Sequence, residues 1–276
     1  MSRIPDRFDA FRRLHDQDSP LLLPNAWDFA SAAALVARGF PAIGTTSLGV
    51  AIACGKQDAA GATRDETLAL ARSISGLCLV TVDLEAGFDE RPRAVAELSA
   101  ELADAGVVGV NLEDGRAGRT LAPIERQQEL IAAVAERVPG LFVNARVDSY
   151  WIGGQRAARD DAIRRAQAYQ AAGASGIFVP GAPDEATIRA LVEAVDLPMN
   201  LVFIPGQLGL RRLAELGVRR VSCGSLLFRV ALHAAVTTVS QILEGDPVQT
   251  PGVPSYAEVE ALVTESSWPS RPRPTE

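Results

Sequence analysis

Between residues 20 and 245, short apolar runs rich in Val, Ile and Leu alternate eight times with longer stretches of helical period. Such alternation marks βα units, in which helical crossovers join parallel strands. It predicts strands at residues 21–25, 42–46, 78–83, 108–113, 141–146, 176–180, 199–203 and 220–223. The helices are expected at 28–38, 64–75, 92–105, 123–137, 156–172, 184–194, 206–216 and 225–243. Pro92 and Pro123 fall where a helix accepts proline, while Gly39, Gly106, Gly173 and Gly217 follow the last periodic residue. The phrases Ala105-Gly106-Val107, Ala172-Gly173-Ala174 and Leu216-Gly217-Val218 repeat one device, a glycine that ends a helix and feeds the next strand. Eight units in about 220 residues predict an α/β fold, a closed (β/α)8 TIM barrel, because open doubly wound sheets commonly stop at about five or six strands.

The barrel is expected over residues 1–245, as a single domain. Beyond Gly245 the chain changes character, with Pro247, Pro251, Pro254, Pro269, Pro272 and Pro274 crowded into its end. Residues 246–276 therefore read as a Pro-rich C-terminal tail, either wrapped on a neighbouring subunit or loose. Within it Ser255-Tyr256-Ala257-Glu258 forms a capping box for a short helix ending near Val263.

A net charge of −7 excludes nucleic-acid binding driven by bulk charge, and 47% apolar residues suffice for a large core. Cys54, Cys78 and Cys223 are too scattered for a disulfide framework or a metal site, and the first 20 residues lack an apolar signal segment, so a cytoplasmic protein is expected. Residues 226–243 are apolar but carry Arg229, His233 and Gln241, which fits a buried or subunit-contacting helix and not a membrane span.

In a barrel the chemistry sits at the C-terminal ends of the strands. Strand three ends in Asp83-Leu84-Glu85, strand four in Glu113-Asp114 and strand five in Arg146-Val147-Asp148. Alternation puts Asp83 and Glu85 on one face, with Glu113 on the neighbouring strand. Acids gathered there repel one another unless a cation lies among them, and a hard divalent ion, Mg2+ or Mn2+, suits oxygen ligands. The alternative is that each acid pairs with an arginine or caps a helix. Arg146 is either an anion clamp or a counter-charge for the acids. After strand two, Gly44-Thr45-Thr46-Ser47-Leu48-Gly49 could cradle a carboxylate on backbone N–H groups.

Six segments, in order over residues 20 to 240, resemble the isocitrate lyase/phosphoenolpyruvate mutase superfamily. They are Asn25-Ala26-Trp27-Asp28, Thr46-Ser47-Leu48-Gly49 followed by Asp58, Asp83-Leu84-Glu85-Ala86-Gly87-Phe88, Val110-Asn111-Leu112-Glu113-Asp114, Asn144-Ala145-Arg146-Val147-Asp148 and Leu216-Gly217-Val218-Arg219-Arg220-Val221-Ser222. The resemblance implies a barrel whose last helix is exchanged between subunits of a homodimer or homotetramer, with Mg2+ holding a 2-oxo acid or its enolate. It implies Asp83 as the direct metal ligand, with Glu85, Glu113 and Asp58 acting largely through bound waters. Thr46, Ser47 and Leu48 would hold the substrate carboxylate, Arg146 a substrate oxygen, and Asn200 matches a polar position ending strand seven. Trp27 and Phe88 wall the pocket or belong to the core. Arg146, Asp58 and Glu113 are the catalytic candidates.

The family's lyases carry Lys-Lys-Cys-Gly-His in a mobile loop after strand four, with the Cys as acid or base, and its mutases place Lys, Asn and Ser nearby. Here that loop reads Asp114-Gly115-Arg116-Ala117-Gly118-Arg119-Thr120-Leu121-Ala122-Pro123, without Cys, Lys or His. Arg116 and Arg119 either meet a second anionic group or are solvated, and the two glycines suit a lid. His15 and His233 are expected to be structural, while Tyr150 and Trp151 follow Arg146 into its loop as candidate substrate contacts. The resulting expectation is a Mg2+-dependent carbon–carbon lyase acting on a small 2-hydroxy or 2-oxo carboxylic acid through a pyruvate-like enolate. The alternatives are a P–C mutase or hydrolase of the phosphonopyruvate type, or a silent homologue that binds metal and oxo acid.

Overall fold

In a computed structural model, which describes residues 4–153, 159–248 and 250–264, nine parallel strand segments form one sheet. The first two, Leu21–Leu23 and Asn25–Ala26, are halves of one strand divided at Pro24, which has no N–H for a ladder. Leu21–Leu23 pairs with the last strand, Arg220–Ser222, whereas Asn25–Ala26 pairs with Ala42–Thr45, so strand one closes the ring. Eight barrel strands result. Strands three to seven are Leu79–Asp83, Gly109–Glu113, Phe142–Arg146, Gly176–Phe178 and Met199–Val202.

The predicted helix signals work as read. Pro92 opens the helix Pro92–Asp104, Pro123 precedes Ile124–Arg137, and Gly106, Gly173 and Gly217 adopt φ of +98°, +98° and +85°. Residues 156–158 of one predicted helix lie outside the described residues; that helix is seen as Arg159–Ala171. The predicted helix 206–216 is cut to Leu210–Glu215, because Gly209 sits at its N-cap. Alternation sends Val80, Val82, Val110, Leu112, Val143 and Ala145 outward under the helices, all fully buried.

The N-terminal segment read as merely polar is a helix, Ile4–Arg13. It closes the bottom of the barrel. Phe11 meets Phe142 edge-on at 5.4 Å, His15 stacks on Phe142 at 4.4 Å, and Arg7 donates to the carbonyls of Ser75 and Cys78. Burial, helped by the charge of Arg220, lowers the His15 pKa to about 4, and the structural role expected for it holds.

The last long helix, Leu226–Glu244, is not buried in its own chain: among its residues only Phe228 is, and Val236, Val239 and Ile242 are each more than 60% exposed. By length and composition it is long and apolar enough to cross a membrane. The capping box at Ser255 is present, with Glu258 accepting from the Ser255 N–H at 2.6 Å. Its helix, Tyr256–Thr264, rests against Phe29–Ala37, so this part of the tail docks on its own barrel.

Candidate active site

Three loops meet over the C-terminal ends of strands two to five. The short helix Ser47–Ala53 starts directly after strand two, and its first amides have no partner within the helix. The Ser47 N–H points at Asp83 Oδ2, 3.4 Å away, and the Asp83 N–H donates to Thr45 Oγ1 at 2.9 Å. Asp58 follows in the loop beyond that helix and faces the same pocket, of about 170 Å³. Burial raises its pKa, opposed by a hydrogen bond from Ser47.

The expected acids do not converge as one cluster. Among the described residues no three His, Cys, Asp or Glu side chains lie close enough to share a metal. Glu85, in a left-handed conformation (φ +50°), turns to the segment carrying Asp58, accepting from the Gly61 N–H at 3.0 Å and the Thr63 hydroxyl at 2.9 Å. Glu113 Oε2 lies 2.6 Å from Arg146 Nη1, while Arg146 Nε donates to Asp148 Oδ1 at 2.7 Å. Burial, above all, raises the pKa of both Glu113 and Asp148, since one guanidinium cannot compensate two enclosed carboxylates.

The donor set nevertheless fits a hard cation. Asp58 Oδ1 and Asp83 Oδ1 are buried without any hydrogen-bond partner, and both residues line the same pocket. Carboxylate oxygens left orphaned in this way are what one ion bound by one or two carboxylates, with several retained waters, would satisfy.

Of the other expected site residues, Thr46, Ser47 and Leu48 line the mouth. Trp27 does not line it: its ring packs edge-on against Phe228 at 5.3 Å. Asn200 lies below the mouth, 1% exposed, with both amide atoms unpartnered. Arg116 is neither solvated nor free, since it donates to the carbonyls of Glu113 and Gly115 and to Gln127 Oε1. Arg119 is exposed and donates to the Ile152 carbonyl at 3.2 Å, closing the hairpin of Gly115–Arg116 and Thr120–Leu121 over the mouth. Trp151 lines the mouth, as expected, and Tyr150 is buried.

Sequence reasoning assigned no role to Asp148, although its position two residues after Arg146 puts it on the same face. It also missed the support behind it. Asp114 accepts from the Asp148 N–H at 2.8 Å and from the Tyr169 hydroxyl at 2.7 Å, and it pairs with Arg165 at 3.1 Å. Asp114 and Arg165 are 51 residues apart in sequence, so no local pattern announces them.

Residues 11–243 match the family described as phosphoenolpyruvate phosphomutase. The chain belongs to this family. Within the phosphoenolpyruvate phosphomutase family it is 41% identical over 257 residues to an uncharacterized protein of Mycobacterium tuberculosis, covering 93% of this chain and 96% of that one. It is 30% identical over 203 residues to the 2-methylisocitrate lyase of Escherichia coli, covering 69% and 67% of the two chains. The crystal structure of a putative lyase/mutase from Burkholderia cenocepacia superposes with a TM-score of 0.86 at 32% identity, covering 96% of this chain and 98% of that one. The matches thus include a lyase and a mutase family, and the phosphonopyruvate hydrolase solved with oxalate and Mg2+ shares the barrel fold seen here, at 24% identity and a TM-score of 0.82 over 94% of this chain and 95% of that one.

Proposed function

We propose that the chain is a Mg2+-dependent carbon–carbon lyase that acts on a small 2-hydroxy or 2-oxo carboxylic acid and passes through a pyruvate-like enolate. The observation that carries this reading is the meeting of two orphaned carboxylate oxygens, on Asp58 and Asp83, with Arg146 and the Ser47–Leu48 turn in one pocket. Mn2+ would serve the same oxygen ligands.

Asp83 would hold the ion directly, and Asp58, Glu85 and Glu113 would act on it through waters. The ion would supply Lewis-acid stabilisation of developing negative charge. The N–H groups after Thr46, at Ser47 and Leu48, would take the substrate carboxylate. Arg146, fixed from both sides by Glu113 and Asp148, would present its remaining N–H to a substrate oxygen without reorganising, which is the condition for strong electrostatic catalysis. Asp58, whose Oδ1 is unpartnered and lines the same pocket, would exchange a proton with the substrate through such a water. Asn200 would support the floor of the site from below.

The substrate is a small carboxylate; neither nucleic acid nor membrane is a partner in this reading. The exposed apolar side of Leu226–Glu244 would be covered by a second copy of the chain, in a homodimer or homotetramer with exchanged helices. Three free cysteines fit a reducing cytoplasm.

The test is an NMR assay against oxaloacetate, 2-methylisocitrate, isocitrate, substituted malates, 4-hydroxy-5-methyl-2-oxohexanoate and phosphonopyruvate, with Mg2+ and again with EDTA. Release of pyruvate, glyoxylate or another oxo acid only with Mg2+ is the expected result. Cleavage confined to phosphonopyruvate would overturn the carbon–carbon assignment.

A further inference from the structure

We propose that the acid taken by this site carries an uncharged aliphatic group on the side remote from its carboxylate. This inference rests on the reading of the mouth as an oxo-acid site and adds the chemistry of the substrate's other end.

The mouth has two unlike sides, with Ser222, Cys223, Gly224 and Ser225 of strand eight and its turn between them. Strands two, three and five supply Ser47, Asp83 and Arg146, with Asp58 from the loop after strand two. The ends of strands six and seven and the loops after them supply Phe178, Pro180, Val202, Phe203, Ile204 and Pro205. None of those six side chains carries a charge or a hydrogen-bonding group. Part of the backbone on that side is also committed: the Val179 N–H donates to the Asn200 carbonyl at 3.0 Å and the Phe203 N–H to the Ser222 carbonyl at 2.7 Å. Pro180 and Pro205 have no N–H to offer.

The nearest cation is already paired. Arg146 marks the boundary, its guanidinium carbon 5.7 Å from the Phe178 ring and 5.8 Å from the Trp151 ring, and its charge is engaged by Glu113 and Asp148. A second carboxylate laid against this wall would surrender its water without gaining a partner. An alkyl group there would bury apolar surface on both sides of the contact. Trp151, 56% exposed, and the half-buried Phe203 and Ile204 leave that surface open in a concave site, as a pocket awaiting an apolar ligand does. Arg229, exposed and without an ion pair on the last helix, is the one other cation lining this pocket among the described residues, and it defines the competing outcome.

The experiment compares three ligands by calorimetric titration of the whole protein with Mg2+ and with EDTA. Oxalate probes the metal and carboxylate side alone. Then 5-methyl-2-oxohexanoate and 2-oxoglutarate form a near-isosteric pair, a branched alkyl end against a carboxylate end. The expected result is Mg2+-dependent oxalate binding, at least tenfold tighter binding of the branched acid than of 2-oxoglutarate, and a ratio that falls toward one in Phe203→Ala. Oxalate binding accompanied by equal or tighter binding of 2-oxoglutarate overturns this inference alone, and loss of that preference in Arg229→Ala would assign Arg229 to a second carboxylate. Failure of oxalate to bind with Mg2+ overturns the underlying site reading, and this inference with it.

Discussion

Glu113 and Arg146 stand directly opposite each other on strands four and five, and their side chains meet at 2.6 Å in a nearly enclosed site. With Asp148 on the other side of the same guanidinium, the trio fixes Arg146 in one orientation at the edge of the pocket. The sequence left two roles open for Arg146, clamp or counter-charge. The geometry shows the contacts of the second directly; the first is our proposal, supported by the N–H groups that a cation held by two acids keeps for a substrate oxygen.

Two expected outcomes follow for Arg146. Arg146→Lys should lose at least tenfold in Mg2+-dependent oxalate affinity, because an ammonium cannot reproduce a fork spanning two carboxylates. Arg146→Met should lower stability by about 3–5 kcal/mol, the typical cost of leaving buried partners unpaired. Titration and chemical denaturation check the pair, and wild-type oxalate affinity in the lysine variant would remove Arg146 from the binding site.

Asp83→Ala should abolish Mg2+-dependent oxalate binding while the melting temperature of the metal-free protein stays within a few degrees. Its carboxylate makes one long hydrogen bond, to the Ser47 N–H at 3.4 Å, and the loss of its attraction for the buried Arg220 is offset by the loss of its repulsion of Asp58, Glu85 and Glu113. Retained oxalate binding would show that the ion, if bound, sits elsewhere.

Gly115 explains how the hairpin can lie so close to the site. A Cβ at this position would stand 2.4 Å from Asp148 Oδ2, closer than any real contact. Gly115→Ala should therefore cost about 1–3 kcal/mol, the range for overpacking a filled interior, and should weaken oxalate binding by displacing Asp148 from Arg146. A variant with unchanged stability and affinity would mean that Asp148 has room to move.

His15 makes stability fall on the acid side. Its folded pKa of about 4 lies below an unfolded value near 6.5, so its contribution is complete above pH 6.5 and is lost as the pH falls toward 4. The difference corresponds to about 3 kcal/mol. In His15→Phe the decline in unfolding free energy between pH 6.5 and 4 should shrink by roughly that amount, measured by denaturant titration across pH; an unchanged decline would place its cause in other groups.

Exposed apolar residues on the last helix should govern assembly. The double variant Val236→Glu, Val239→Glu puts charges on a surface more than 60% exposed in the single chain. Light scattering should show the wild type as a dimer or tetramer and the variant as a smaller species. A monomeric wild type would leave that helix without the partner assigned to it.

The barrel was legible because its signals are local: period-two and helical patterning, proline at helix starts and glycine at helix ends each act within a few residues. The mouth was legible as a list of strand-end residues, and Asp83, Asp58, Arg146 and the Thr46–Leu48 turn do share one pocket. Side-chain direction was not legible. Glu85 turns its carboxylate to Gly61 and Thr63 because of its left-handed backbone, and Trp27 leaves the mouth because Phe228, 201 residues away, packs against the indole. The bottom plug escaped notice because residues 4–13 are mostly polar, and what buries Phe8 and Phe11 is the barrel floor, not a pattern of their own.

The most direct test of enolate chemistry is proton exchange at the methyl group of pyruvate in D2O, followed by NMR with protein and Mg2+. The account expects the methyl signal to decay faster than in Mg2+ alone, to stop decaying with EDTA, and to be protected in Asp83→Ala. Exchange no faster than the Mg2+ control, in protein shown by titration to bind oxalate, would contradict it.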